Sequence, residues 1–230
     1  RRQRQMCIRD RSYGYKRQIY PVNPKAEAIL GYKSYPDISE VPDPVDLAVI
    51  ILPASIILGV IEACGERGVR NATIISGGFR EVGKEGRKLE DKVLQIAASY
   101  DMRLIGPNCV GTINMRTGLN TTFIKGMPAT GGIGFISQSG AVCGGVVDHV
   151  IGHGIGFSHL LSLGNMADVS ETDMLEYLGS DSATNVIAAY VEGIQNGRRF
   201  LQAAKRITPN KPIVVLKAGK SEQGARAVSS

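Results

Sequence analysis

The side chains of this sequence that could do chemistry gather where apolar runs end. Ser137-Gln138-Ser139-Gly140 closes one such run and opens a Gly-rich helical pattern. Unpaired N–H groups at a helix's first turn, aided by the helix dipole, favour an anion, so Ser139 and Gly140 are candidate phosphate-binding residues. Ser139 reads equally well as a plain helix N-cap. Glu192 follows the run 186–191. A carboxylate at a strand's carboxyl end is a candidate catalytic residue, with a strand-end cap as the plainer alternative. Lys25 closes Asn23-Pro24-Lys25 and can meet a phosphate as a point charge, or stand as a solvated turn lysine. Ile75, Ser76 and Gly77 end another run, and the Gly77-Gly78 pair lets a ligand approach the backbone closely. Asn108 and Cys109 lie in the exit loop after 103–105. The terminal stretch from Lys217 to Ser230 (KAGKSEQGARAVSS) has the Gly, Ser and Lys content of a phosphate-handling loop and breaks off within it.

Other reactive residues carry less. His149 and His153 stand four apart near a helix end, where the dipole alone favours histidine; no third ligand accompanies them, and no metal site is expected. Cys109 has no adjoining histidine and reads as a small buried apolar residue.

The elements that position these residues alternate. Strands are predicted at 19–22, 46–52, 72–76, 103–105, 132–137, 156–162, 186–191 and 212–216. Helices are predicted from 53 to Gly65, and over 86–100, 141–151, 171–178 and 198–207, with Asp168 or Ser170 capping the fourth. Strands spaced by helical patterns imply βαβ units and parallel sheets. The fold class is therefore α/β, with two doubly wound units over 12–126 and 127–230 joined by the Pro- and Gly-rich stretch 125–131. Residues 12–18 lack the apolar strand and Gly-rich turn with which a Rossmann sheet opens, so the first unit is expected to lack its first strand and helix.

Four segments, in this order and spacing, resemble one family, the NDP-forming acyl-CoA synthetases. They are Ile19-Tyr-Pro-Val-Asn-Pro-Lys25, Ile105-Gly-Pro-Asn-Cys109, Ile136-Ser-Gln-Ser-Gly-Ala-Val142 and Lys217-Ala-Gly-Lys-Ser-Glu-Gln-Gly-Ala-Arg226. The wording is closer to the ADP-forming acetate–CoA ligases than to succinyl-CoA synthetase. The resemblance implies a CoA-binding Rossmann-like domain followed by a flavodoxin-like domain, truncated at both ends. It implies CoA contacts at Lys25, Ile75, Ser76, Gly77, Asn108 and Cys109, phosphate contacts at Ser139 and Gly140, and a Glu192 that orients a phosphorylated histidine. That histidine is expected just after Ser230, since none of His149, His153 and His159 matches it. The implied reaction joins a small carboxylic acid to CoA at the expense of ATP, through a phosphohistidine and an acyl phosphate, releasing ADP and phosphate. Mg2+ and most ATP contacts belong to an ATP-grasp β subunit or fused β domain. The resemblance also implies assembly as a hetero- or homo-oligomer, and the 230-residue chain alone is expected to be inactive. Two rivals stand beside this reading. One is the CoA- or nucleotide-sensing, ligase-like half of a protein acetyltransferase. The other is an NAD-type dinucleotide module, against which stands the lack of a Gly-x-Gly-x-x-Gly turn.

Composition narrows the class. Of the net charge of +6, residues 1–11 contribute +4 from five Arg and one Asp. That segment has no periodicity and no signal-peptide core, and it reads as translated sequencing read-through or a disordered tail, not a nucleic-acid arm. With no tryptophan, a base-stacking platform is disfavoured as well. The sequence holds no apolar run of about 18 residues, so no membrane span is expected. Cys7, Cys64, Cys109 and Cys143 form no CxxC pair, which fits a reducing cytoplasm better than a disulfide framework.

Overall fold

The computed structural model describes residues 14–219, and these form eleven strands and five α-helices. The expectations for residues 1–11 and for the loop from Lys220 onward lie outside the described residues.

A two-stranded antiparallel hairpin comes first: β1 (Ala28–Ile29) and β2 (Tyr32–Lys33). Its turn residues Leu30 and Gly31 have φ of 54° and 83°, the left-handed pair of a type I′ hairpin. Residues 19–22 were expected to be a strand. They make only an isolated bridge, Val22 to Tyr35. Pro21 and Pro24 remove the N–H groups a ladder needs.

Three parallel strands follow, in the order β3 (Ala48–Ile50), β4 (Asn71–Ile74) and β5 (Arg103–Ile105). Helices α1 (Ile57–Glu66) and α2 (Lys84–Ser99) pack on them. Ile57, Ile61 and Cys64 of α1 and Val93 and Ala97 of α2 recur at helical spacing, and they close one apolar core with Ile50, Ile74 and Leu104. Gly65 lies inside α1 instead of ending it. A Cβ there would stand 2.3 Å from the Tyr100 ring, so only glycine lets the ring lie against the helix.

The second sheet has the order β11-β10-β8-β9-β6-β7. Its parallel core is β8 (Ala129–Ser137), β9 (Gly156–Ser162), β10 (Val186–Val191) and β11 (Ile213–Lys217). Two short strands extend that edge: β6 (Thr112–Asn114) pairs antiparallel with β9, and β7 (Leu119–Asn120) pairs antiparallel with β6. The chain thus enters the second sheet at Thr112, ahead of the border expected at 126. Neighbouring side chains on a strand point to opposite faces. Phe135 and Leu160 accordingly join Cys143, Val147 and Val150 of α3 (Gly140–Val150) on one face. Ile136 and Leu161 join Leu175 and Leu178 of α4 (Glu171–Ser180) and Phe200 and Ala203 of α5 (Gly197–Ile207) on the other. Helices on both faces of a parallel sheet make this unit doubly wound.

Candidate functional site

The strand order places a crevice. From β8 the chain crosses through α3 to β9 on one side, and then returns through α4 to β10 on the other side of β8. The carboxyl ends of β8 and β10 therefore flank the point where the order reverses, the place at which open α/β sheets bind ligands. Ser137-Gln138-Ser139 leaves β8 there, and Glu192 leaves β10 beside it.

Local geometry fixes both exits. Ser139 has extended φ and ψ (−97°, 121°), and its side chain accepts from the Val142 amide at 3.3 Å, which makes it the N-cap of α3. The Gly140 and Ala141 amides precede that bond in the first turn, where an α-helix offers its N–H groups no intrahelical partner. A Cβ on Gly140 would meet Val110 Cγ1 at 2.7 Å, so α3 begins pressed against the segment after β5. Ser137 Oγ donates to the Ser139 carbonyl at 2.9 Å and accepts from the Ser139 amide at 3.1 Å, closing the turn. Gln138 reaches across to the other strand. Its Oε1 accepts from the Glu192 and Gly193 amides at 2.7 and 2.9 Å, and its Nε2 donates to the Gly193 carbonyl at 2.6 Å. The Glu192 side chain is half-buried, and burial raises its carboxyl pKa against the lowering pull of Lys217. Lys217 Nζ donates to the Glu192 carbonyl at 2.8 Å, tying the end of β11 to the same corner. Gln138 carried no functional reading in the sequence. Its one signal is its place directly before an N-cap serine at a strand exit.

A second group of strand exits lies on the first sheet. The Ile75 amide donates to the Ile50 carbonyl at 3.0 Å, burying that residue beside the strands. The Asn108 amide donates to the Ser76 carbonyl at 2.9 Å, so the loops after β4 and β5 are joined. Asn108 takes a left-handed φ of 57° after the cis Gly106–Pro107 bond and is exposed. A Cβ at Gly77 would stand 3.0 Å from Glu81 Oε1 and 3.1 Å from Asn108 Oδ1, so Ser76, Gly77 and Asn108 share one surface. Ile75 and Cys109 lie beneath it. Cys109 is buried, its thiol donates to the Ile74 carbonyl at 3.4 Å, and burial pushes its pKa up to about 12. That is an inert thiol. Lys25 is exposed in an Asx turn, its amide bonded to Asn23 Oδ1 at 2.9 Å.

The two units meet through the loop after β9. The Asn165, Ala167 and Val169 amides donate to the Pro107, Gly106 and Leu104 carbonyls at 2.8, 3.0 and 3.1 Å. Asp168, one of the two residues expected to cap α4, instead accepts from Arg103 Nε and the Leu104 amide at 2.9 and 2.7 Å. Ser170 takes the cap, in a reciprocal capping box with Asp173.

The histidines stand apart from the crevice. His149 lies in the last turn of α3, the far end from Ser139, and stacks on His153 at 5.0 Å. His159 is buried within β9, held by Asn114 Nδ2 at 2.9 Å and the Tyr177 hydroxyl at 3.1 Å. Among the described residues, no cluster of three or more His, Cys, Asp and Glu could hold a metal ion. No described helix is long and apolar enough to cross a membrane.

A CoA-type Rossmann unit joined to a flavodoxin-like unit, with polar loops at the strand exits of both, is the class that fold and site define. Family models agree with it: one described as a CoA binding domain matches residues 7–115, and one described as a succinyl-CoA ligase like flavodoxin domain matches residues 130–230. The chain belongs to the NDP-forming acyl-CoA synthetases. It is 46% identical over 213 residues to the alpha subunit of acetate–CoA ligase [ADP-forming] II of Pyrococcus furiosus, covering 93% of this chain and 46% of that one. It is 46% identical over 212 residues to acetate–CoA ligase [ADP-forming] I of Archaeoglobus fulgidus, covering 92% of this chain and 31% of that one. The solved structure of Ca. Korarchaeum cryptofilum dinucleotide forming acetyl-coenzyme A synthetase 1, in complex with phosphate and ADP, superposes with a TM-score of 0.93 at 43% identity, over 98% of this chain and 48% of that chain. The chain thus spans between about a third and a half of the length of these relatives.

Proposed function

We propose that this chain forms the CoA-binding and phosphohistidine-receiving portion of an ADP-forming acyl-CoA synthetase, acting on a small carboxylic acid. One observation carries the reading. The N-terminus of α3 and the Glu192 carboxylate leave adjacent parallel strands at the switch point, and Gln138 locks them into one corner. An anion seated on the first-turn amides would face a half-buried carboxylate able to accept from an imidazole N–H. These are the needs of a site that receives a phosphohistidine and fixes its ring.

The chemistry then divides between the units. At the crevice, Ser139 and Gly140 hold the phosphoryl group and Glu192 orients the histidine that delivers it. A substrate carboxylate oxygen attacks phosphorus, the P–N bond breaks, and an acyl phosphate forms. The CoA thiolate, delivered over Gly77 and Asn108, attacks the acyl carbon and phosphate departs with its electron pair. Covalent catalysis of this kind splits one difficult step into easier ones. None of His149, His153 and His159 adjoins Ser139 or Glu192, so the phosphoryl-carrying histidine belongs to another segment of the complete enzyme, as do the ATP contacts of an ATP-grasp partner. The 230-residue chain alone is expected to form no acyl-CoA.

The test begins with ligand protection. CoA should raise the melting temperature of the chain and NAD should not; protection by NAD in place of CoA would overturn the assignment. In the complete enzyme, ATP, CoA and a panel of short carboxylic acids should yield acyl-CoA and ADP. Glu192→Ala should abolish turnover while leaving CoA protection intact.

A further inference from the structure

Glu81 uses its two carboxylate oxygens for different purposes. Oε1 accepts from the Gly78 and Phe79 amides at 2.5 and 3.1 Å, a bond set confined to its own loop. Oε2 accepts from Asn165 Nδ2 at 2.7 Å, a residue 84 positions away in the loop after β9. A carboxylate that served only to close its loop would need one oxygen. The second makes a bond between the two units.

Asn165 is built to receive it. The residue is buried, at 8% exposure, and every polar group of its side chain is used. The same Nδ2 donates its other hydrogen to Glu90 Oε2 at 2.9 Å, and Oδ1 accepts from Asn108 Nδ2 at 3.4 Å. Its amide holds the Pro107 carbonyl. Glu90 is itself buried within α2 and offset by Arg80 at 3.6 Å. Three loops therefore converge on one carboxamide: those after β4, β5 and β9. Gly77 sits between the Glu81 and Asn108 side chains, where a Cβ would stand 3.0 and 3.1 Å from their oxygens and would press on both. Burial pushes the Glu81 carboxyl pKa up, but the bonds from Asn165, Gly78 and Phe79 outweigh it and hold the group ionised, able to accept at both oxygens.

We propose that Glu81 is a positioning residue: through Asn165 it ties the loop after β4 to the loop after β9, and so sets the Gly77-Gly78 backbone over which the CoA arm lies. The proposal rests on the CoA reading above. It makes the CoA surface of the first unit dependent on the second unit, whose crevice receives the phosphoryl group.

The experiment compares Glu81→Gln with Glu81→Ala in the complete enzyme. Glutamine keeps an oxygen for the Gly78 and Phe79 amides but sets its NH2 against Asn165 Nδ2, severing the tie and sparing the loop. Expected for Glu81→Gln is a KM for CoA raised at least fivefold, with KM for ATP and kcat within twofold of the parent. Expected for Glu81→Ala is a rise of at least tenfold. Hydrogen exchange gives a readout without ligand: residues 163–166 should exchange faster in both variants, and the Gly78 and Phe79 amides only in Glu81→Ala. A parental KM for CoA together with unchanged exchange at 163–166 in Glu81→Gln overturns the proposal. Should Glu81→Ala fail to fold, Glu81→Gln alone decides. An unsubstituted enzyme whose turnover ignores CoA would sink the CoA reading instead, while the exchange data would still report whether the tie exists.

Discussion

Gln138 grips the backbone at Glu192 from both sides: one carboxamide oxygen takes two successive amides, and the nitrogen of the same group gives to the carbonyl between β10 and the next loop. Three bonds from one buried side chain leave the Glu192 loop little freedom at the switch point. Gln138→Ala removes all three and leaves backbone groups to find water in a half-buried corner. The expected cost is about 1–3 kcal/mol of stability. Phosphoryl transfer in the complete enzyme should fall further than that loss implies, because the carboxylate loses its aim. Gln138→Glu should be no milder, since it sets a carboxylate oxygen against the Gly193 carbonyl. Equal turnover in parent and Gln138→Ala, measured by acyl-CoA formation, would remove the locking role.

Glu192 should leave a signature in the pH dependence of stability. Burial raises its folded-state pKa above the ordinary carboxylate value, with Lys217 pulling the other way. A raised acid binds its proton more tightly in the folded than in the unfolded protein. Its favourable contribution is therefore complete below the unfolded pKa and is lost as pH rises through the folded one. Between those two values the parent should lose stability relative to Glu192→Gln as pH increases, and above them the offset should be constant. Melting temperatures of both proteins between about pH 4 and 7 test the sign. A difference that grows in the opposite sense would mean that the carboxylate is stabilised, not strained, in this corner.

The parts of the fold that were legible in the sequence share a cause. β5, β9 and β10 lie where they were expected, because each carries consecutive apolar residues that a covered sheet buries: Leu104-Ile105 in β5, Leu160-Leu161 in β9 and the nearly unbroken run VIAAYV of β10. β6 and β7 were not read: they are three and two residues long, they hold Thr and Asn among few apolar residues, and they form because β9 offers β6 an edge and β6 offers one to β7. The β1–β2 hairpin was hidden because its turn is Leu-Gly and not Asn-Gly. At the site, Ser139 and Glu192 announced themselves by standing at strand ends. Gln138, Glu81 and Asn165 did not, since their partners are backbone atoms or side chains 54 to 84 residues away, and no local spacing encodes that.

The cysteines should be silent in the native protein. Burial lifts the thiol of Cys109 to about 12 and those of Cys64 and Cys143 to about 11. The thiolate is the reactive form, and at pH 8 each of these sites would hold about one part in a thousand or less of it. In a Cys7→Ser background, which removes the cysteine outside the described residues, iodoacetamide at pH 8 should label the folded chain negligibly and the urea-unfolded chain three times. Cys109→Ala should keep at least half of the parental kcat in the complete enzyme, because the thiol serves only to fill space and bond the Ile74 carbonyl. Rapid labelling of Cys109 in the native state, with loss of activity, would restore it as a nucleophile candidate.

Two glycines should respond to alanine in opposite ways. Gly164 has φ of 55°, and a Cβ there would lie 2.4 Å from the Pro107 and Asn108 carbonyl oxygens. Backbone cannot swing aside as a side chain can, so Gly164→Ala must push the loop after β9 off the loop after β5. The expected loss is about 1–3 kcal/mol from overpacking, with left-handed strain added to it. CoA affinity should fall with it, since Asn108 lies on the displaced loop. Gly144 sits within α3 with nothing inside 4 Å of its would-be Cβ. Gly144→Ala should therefore stabilise the helix by about 0.5–1 kcal/mol. Its effect on turnover reads a different property. The open space lies one turn beyond the Ser139 cap, and a carboxylic acid presented to the phosphoryl group would have to occupy space of that kind. A more stable Gly144→Ala enzyme with a raised KM for its acid substrate, and unchanged KM for CoA, would place the acid beside α3. A more stable enzyme with unaltered kinetics would place it elsewhere.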